Sequence, residues 1–297
     1  MPNNHHSGFI AILGRSNVGK STLLNILLGQ KIAPVSPRPQ TTRKTQLGIL
    51  TLDNAQLIFI DTPGVHQPRH KLGEKMNFEA QNALEDCDLI LFMVDITSPP
   101  TPEDLQLADK IKATKTKTPV ILVANKIDQI DRSTLPTALE DYQSLLPLAA
   151  VVAISATNGE NLEQLLSLII SRLPEGPPFY PVEQITDLNE RELAAELIRE
   201  ACLYILRDEV PHGISVRIDQ YIEREGKGAY IEATIFVERQ SHKGIVIGQG
   251  GLMLKQIGTR ARQEIEMLTS RKIYLQLRVK VRNNWRNDEK MLRWLGY

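Results

Sequence analysis

The chain has 297 residues, 42% of them hydrophobic, and its 35 Lys and Arg balance its 35 Asp and Glu. That length accommodates two ordinary domains. Cys87 and Cys202 stand too far apart for a metal or redox motif and point to a reducing compartment. The longest apolar run, Leu89–Val94, is far too short to cross a bilayer, and Met1–Ser7 reads as a short polar arm rather than a leader, so secretion and membrane spanning are both argued against. The zero net charge hides an asymmetry: residues 239–297 carry 13 Lys and Arg against 4 Asp and Glu, a local excess of +9 that suits a polyanionic partner. A solvated charged face would show the same excess.

In chain order, short apolar runs predict strands over Phe9–Leu13, Thr45–Leu52, Gln56–Ile60, Leu89–Val94, Val120–Ala124 and Ala150–Ile154. Helical patterns fall between and after them, near Ser21–Leu28, Leu72–Leu84, Pro102–Ala113, Leu135–Leu145 and Leu162–Arg172. This alternation predicts an α/β domain with a mostly parallel six-stranded sheet covered on both faces. Only Asp53-Asn54 separates the second strand from the third, so these two form an antiparallel hairpin at the sheet edge. The prolines of Pro174–Pro181 continue neither helix nor central strand and mark a linker. The domain reading is therefore 1–173, a linker over 174–182, and 183–297. Beyond the linker come a helix near Glu190–Leu206 and strands Ile214–Glu223 and Ala229–Val237 turned at Glu225–Gly228. A helix after Gly251, a strand near Ile273–Val281 and a short final helix follow.

The stretch Gly14-Arg15-Ser16-Asn17-Val18-Gly19-Lys20-Ser21-Thr22, between the first strand and the first helix, is a phosphate-binding loop. Its backbone N–H groups and the helix N-terminus wrap phosphates, Lys20 reaches the β- and γ-phosphates, and the Ser21 hydroxyl ligates Mg²⁺. Asp61-Thr62-Pro63-Gly64 ends the third strand. There a carboxylate can hold Mg²⁺ through water and the Gly64 amide can meet a γ-phosphate. Asn125-Lys126-Ile127-Asp128 ends the fifth strand. Asp128 can accept from both N–H donors on guanine's Watson–Crick edge, Lys126 can lie over the base, and Asn125 can tie this loop to the first. Ser155-Ala156 ends the sixth strand, where ligands bind in open α/β sheets. Together these loops make a guanine-nucleotide site. In the loop Lys31–Arg43 a threonine can join Mg²⁺ when a γ-phosphate is present; Thr42, just before Arg43, is preferred to Thr41.

These boxes resemble the Ras-like GTPases, and Pro39–Arg43 with Asp61–Gly64 looks like the bacterial Era branch. Val246-Ile247-Gly248-Gln249-Gly250-Gly251-Leu252 is similar to the glycine loop of KH domains. A Ras-like domain followed by one KH domain is the Era architecture. The resemblance implies GTP hydrolysis, a type II KH fold, binding to the 3′ region of small-subunit (16S) rRNA and a role in 30S assembly. It further implies a monomer in the cytoplasm, with peripheral contact at the inner membrane. Within this branch the P-loop asparagine coordinates K⁺, which would place K⁺ at Asn17; a loop-stabilising asparagine is the other reading of that residue.

The glycine loop also argues for itself. Gly248 and Gly251 allow close approach to a sugar–phosphate chain, the following helix aims its N-terminus at phosphates, and Lys243, Lys255, Arg260 and Arg262 surround it. Ile247, Leu252 and Ile257 are expected to hold the fold beneath the loop. Val65 stands where signalling GTPases place a water-orienting glutamine, and His66 and His70 are weak substitutes. Two other readings use the same residues. A scaffold would bind GTP without useful turnover, and a membrane-recruited GTPase would set its basic tail on lipid headgroups.

Overall fold

The computed structural model describes residues 5–36, 38, 41–64, 68, 70–114, 117–224, 226 and 228–297. The expectations for Pro39, Gln40, Val65, His66, Glu225 and Lys227 lie outside these residues. By packing, the chain divides into two units. One is Met1–Ile32, Thr42–Gln67 and Met76–Asp187, the other Ala33–Thr41, Pro68–Lys75 and Leu188–Tyr297.

The first unit carries a six-stranded sheet in the order β2-β3-β1-β4-β5-β6. The strands are β1 (His6–Leu13), β2 (Gln46–Leu52), β3 (Ala55–Asp61), β4 (Leu89–Asp95), β5 (Val120–Asn125) and β6 (Ala150–Ile154). β2 pairs antiparallel with β3 through the two-residue turn, and the remaining pairs are parallel. Every residue of β3, β4 and β5 is buried, which is why these strands read as unbroken apolar runs rather than alternating ones. The helices are α1 (Lys20–Leu28), α2 (Lys71–Glu85, in this unit from Met76 on), α3 (Pro102–Ala113), α4 (Leu135–Gln143) and α5 (Leu162–Ile170). α3 starts where Pro102 follows Thr101, whose side chain accepts from the Asp104 amide while the Asp104 carboxylate takes the Thr101 amide.

Two expectations are corrected here. β1 begins at His6, not Phe9, so His6 and Ser7 belong to the sheet rather than to a polar arm. Backbone carbonyls satisfy their polar side chains: His6 Nδ1 lies 2.8 Å from Leu173 O, and Ser7 Oγ donates to Pro177 O at 2.7 Å. The proline-rich segment forms neither helix nor strand, yet it is fastened along the first unit. Gln56 Oε1 accepts from the Phe179 and Tyr180 amides at 2.7 and 2.9 Å, and Phe179 packs on Phe9 with ring centroids 5.3 Å apart. The Ile49 amide reaches Ile185 O at 2.8 Å, and the first unit runs on to Asp187.

In the second unit the order is α6 (Glu190–Ile205), β7 (Ser215–Arg224), β8 (Gly228–Val237), α7 (Gln240–Ile247), α8 (Leu252–Thr269), β9 (Ile273–Val281) and α9 (Glu289–Trp294). The three-stranded sheet runs β7-β8-β9, antiparallel then parallel. Helix, strand, strand, helix, helix, strand is the type II KH order. One face of the sheet buries Ile231, Ala233 and Ile235 against Ile198 of α6 and Ile257, Ala261 and Ile265 of α8. α6 opens on a capping box, Asn189 with Glu192.

Candidate functional site

The loops that could meet a nucleotide sit at the C-terminal ends of β1, β3, β5 and β6, where a parallel sheet presents them together. Lys20 at the head of α1 is 7% exposed and donates to Gly14 O at 3.0 Å and Arg15 O at 2.9 Å. Burial lowers its pKa to about 8, with Arg15 acting in the same sense and Asp61 opposing. An anionic phosphate beside the ammonium would favour its charged form.

Asp61 is fully buried at the end of β3. Its Oδ2 accepts from Ser21 Oγ and Thr42 Oγ1, both at 3.1 Å, and from Gln46 Nε2 at 3.4 Å, while the two hydroxyls lie 2.9 Å apart. Burial raises the Asp61 pKa, against Lys20 and these three donors, which lower it. Its other oxygen, Oδ1, is buried with no hydrogen-bond partner among the described residues. Two hydroxyls and one carboxylate, whose Oδ1 is unsatisfied, form an all-oxygen set of the hardness that Mg²⁺ prefers. The structure brings Thr42 to Asp61 and turns Thr41 away, since Thr41 Oγ1 donates to Arg38 O at 2.8 Å. Thr62 Oγ1 is tied to Ile12 O at 2.8 Å, next to the P-loop strand end. Gly64 lies flush against the phosphate loop, because a Cβ there would stand 2.8 Å from Ser16 Oγ and 3.0 Å from its amide nitrogen.

The base side is equally tied. Asn125, 3% exposed, donates through Nδ2 to Val18 O at 2.8 Å and accepts the Ala156 amide on Oδ1 at 2.9 Å, linking three loops. Lys126 takes a left-handed φ of 73° and its Nζ meets Asp95 Oδ2 at 2.6 Å. Asp128 accepts the Ser155 hydroxyl on Oδ1 at 2.6 Å, which orients the carboxylate; Asp128 itself is exposed. Asn17 also has positive φ, 66°, which Asn tolerates better than most residues.

Sequence reasoning missed two carboxylates here. Asp95, at the C-terminal end of β4, takes Lys126 and Thr97 on its side chain and lies 3.7 Å from Arg15. Burial would raise its pKa, but the Lys126 and Thr97 hydrogen bonds prevail and hold it below the usual carboxylate range. Asp104 is fully buried and pairs with Arg15 Nε at 3.4 Å. Position at a strand's C-terminal end was the available signal for Asp95; Asp104 looked only like a helix start. Among the described residues no cluster of three or more His, Cys, Asp and Glu side chains could hold a metal, and His70 Nδ1 is spent accepting the Gly73 amide at 3.0 Å.

In the second unit, α7 ends at Ile247 and the chain turns through Gly248–Gly251 into α8. Gly248 has φ 70°, and a Cβ there would lie 2.6 Å from Met253 Cβ, so only glycine fits. Gln249, Gly250, Lys255 and Arg262 are exposed, Lys243 and Gly251 half-buried. Arg260 stacks over the Tyr204 ring at 3.8 Å, so its plane is already engaged. Ile257 is fully buried and Ile247 packs against the core, but Leu252 is 62% exposed. The expectation that Leu252 holds the fold is therefore corrected: five residues from Ile257 is about 140° round the helix, away from the core.

A family model described as 50S ribosome-binding GTPase matches residues 9–126, and a KH domain model matches residues 209–286. The chain is 49% identical to GTPase Era of Caldanaerobacter subterraneus over 294 residues, covering 99% of this chain and 98% of that one. It is 46% identical to GTPase Era of Staphylococcus epidermidis over 293 residues, covering 99% and 97%. Among solved structures, Era in complex with MgGDPNP and nucleotides 1506–1542 of 16S ribosomal RNA superposes with TM-score 0.94 at 42% identity, over 99% of both chains. A point variant of Aquifex aeolicus Era bound to GDP·AlF4⁻ gives the same TM-score and identity, over 98% and 99%. With its P-loop domain, its KH domain and full-length relatives, this chain belongs to the Era family of GTPases.

Proposed function

We propose that this GTPase binds the 3′ region of 16S rRNA through its KH domain and assists assembly of the 30S subunit under control of the bound nucleotide. The observation that carries the reading is the coexistence, in one chain, of an oxygen-lined phosphate site and a glycine loop opening onto exposed lysine and arginine. Its support from relatives is the 42%-identical Era structure that holds both MgGDPNP and an rRNA segment.

In this reading Lys20 and the backbone amides from Gly14 to Thr22 hold the phosphates, while Asn125, Lys126, Asp128, Ser155 and Ala156 hold guanine. Ser21 and Thr42 would ligate Mg²⁺, with Asp61 beyond them; when bound, the ion neutralises charge that develops on the transferring phosphoryl group. Gly64, seated against Ser16, would present its amide to the γ-phosphate. Asn17 is assigned a K⁺ beside the phosphates, a role its exposed, left-handed position suits. Lys243, Lys255, Arg260, Arg262 and the Gly248–Gly251 backbone are assigned to RNA. We place this work in the cytoplasm, where subunits are built, with any inner-membrane contact peripheral; no described helix is long and apolar enough to cross a membrane.

Crosslinking the protein to RNA in cells and sequencing what is attached tests the reading. Enrichment of the 16S 3′ region, reduced by Gln249→Asp with Gly250→Asp, is the expected result. Reads spread evenly over unrelated RNA would overturn it.

A further inference from the structure

The KH sheet has a second face that the glycine loop does not use. Alternation along the strands sends Ile231, Ala233, Ile235 and Val279 into the core beneath α6 and α8, so their neighbours point to the opposite side. The register lines those neighbours up across all three strands. Ile222, Tyr230 and Tyr274 form one row; Arg217, Thr234 and Arg278 form another; Ser215, Phe236 and Lys280 form the last.

This face is aromatic and cationic rather than merely solvated. Tyr230 and Tyr274 are stacked at 5.7 Å with planes 17° apart, and Tyr274 is 65% exposed beside Ile222 at 48%. The far end is closed, since Ser215, Thr234 and Phe236 are buried, Trp294 packs edge-on to Phe236 and the Arg217 guanidinium sits 3.9 Å from the Trp294 ring, so the open part of the face is the Ile222–Tyr274 end and the β9 edge out to Lys280. The face also carries two carboxylates, both already neutralised. Glu232 pairs with Arg278 at 2.7 Å and takes the Tyr230 hydroxyl at 3.3 Å. Asp219 pairs with Arg217 at 3.2 Å and takes the Thr234 hydroxyl at 2.5 Å. These pairs hold the arginines in place at the cost of their net charge. Arg224 and Lys280 carry no carboxylate partner among the described residues, which leaves the face net positive.

We propose that the open part of this face, from the Ile222–Tyr274 end along β9 to Lys280, is a second RNA surface that takes single-stranded RNA, with a base stacked on Tyr274 and phosphates against Arg224 and Lys280. The chemistry is that of a stacking platform in a positive field, which tolerates any base because every base has a π-face. Tyr274 and Lys280 stand six residues apart on one strand, about 20 Å, so one short stretch of extended strand can engage both. The glycine loop joins α7 to α8, which pack on the other face of the sheet, so the two surfaces would engage different parts of one RNA. The proposal rests on the reading of this unit as RNA-binding.

Anisotropy titrations with two RNAs separate the surfaces. A six-nucleotide oligomer can occupy one surface at a time and is expected on the glycine loop, which clamps four nucleotides, while a 3′-terminal 16S fragment of some forty nucleotides can reach both. Tyr274→Ala should weaken the long RNA about tenfold, leave the short one unchanged, and be rescued by Tyr274→Phe, since stacking survives loss of the hydroxyl. Lys280→Ala should weaken the long RNA to a smaller extent and steepen no loss on the short one. Gln249→Asp with Gly250→Asp should weaken both. Unchanged long-RNA affinity in Tyr274→Ala, with an unaltered thermal melt, would overturn the platform while leaving the glycine loop standing. Equal losses on both RNAs, or a loss only in sedimentation with phosphatidylserine vesicles, would overturn it as well. Loss in Tyr274→Ala alongside full affinity in the loop variant would support the platform and sink the glycine-loop reading instead.

Discussion

The two candidate sites solve opposite problems with opposite burial. In the nucleotide site Asp61, Thr62 and Ser155 are 0% exposed and Asn125 3%, and side chains cross-link the phosphate, metal and base loops. In the glycine loop Gln249, Gly250, Lys255 and Arg262 stand in solvent. A small ligand must be met by donors fixed in a low-dielectric setting, where each misplaced group costs its full desolvation. A polymer is met by an open surface, with charge and close backbone approach providing most of the affinity. Single substitutions should therefore be costly and specific in the first site, and graded and salt-dependent in the second.

The largest effect should come at Asp128. Replacing its carboxylate with an amide removes a charge-assisted, bidentate acceptor for guanine, at a cost on the order of a few kcal/mol in affinity. The Ser155 hydroxyl that orients Asp128 finds an acceptor in Asn too, so the loop should keep its shape. Calorimetric titration with GDP should show a hundredfold or greater loss, partly recovered with xanthosine diphosphate. RNA affinity should stay put. Wild-type GDP affinity in Asp128→Asn would break the assignment of the base pocket.

Next in size is the loop of the second unit. Gln249→Asp with Gly250→Asp places two carboxylates against phosphates. Gly250 has φ 58°, which Asp tolerates, and open space where a Cβ would stand, so the fold should survive. RNA affinity should fall at least about tenfold, with a changed salt slope, while GTP binding holds. A drop in nucleotide affinity of the same size would erase the contrast between the sites.

Smaller again is the K⁺ effect. If Asn17 holds K⁺ beside the phosphates, the ion would add positive charge where negative charge develops in the transition state, the place an arginine finger otherwise fills. Turnover should be several-fold higher in KCl than in NaCl at equal ionic strength. Asn17→Gly should abolish the difference; glycine is the better probe because φ is 66° here and alanine would add strain. Equal rates in the two salts would remove K⁺ from the mechanism.

Legibility in the sequence followed the same divide. β3, β4 and β5 were readable because strands buried on both faces are continuous apolar runs, and each ends on a residue of the nucleotide site or its support. β1 was cut short because His6 and Ser7 look like solvent-facing residues; their partners are carbonyls about 170 residues away, as in His6 with Leu173 and Ser7 with Pro177, which no local pattern reveals. α7 left no helical signature of its own: it has Gly244 and three β-branched residues at its end, no side-chain cap, and packing of Val246 into the core to hold it. The Asp95 network is invisible in the sequence because a carboxylate at a strand end does not announce that it will meet Lys126 from the loop after β5 and Arg15 from the phosphate loop.

The smallest expected effect is the sharpest test of how the second site is built. Leu252 and Ile257 lie on one helix, but Ile257 is fully buried and Leu252 is 62% exposed at the mouth of the glycine loop, with Ile245 at 47%. Ile257→Ala empties a core position and should cost about 2–5 kcal/mol. Leu252→Ala removes almost no buried contact and should change stability by no more than about 0.5 kcal/mol. If Leu252 is apolar because bases pack on it, its truncation should still weaken RNA binding a few-fold without changing the salt slope, since no phosphate contact is lost. Urea melts and RNA titrations on the same preparation decide the matter. A melt as damaged as that of Ile257→Ala would return Leu252 to the core, and an unaltered RNA affinity would leave the exposed leucine with no part in the site.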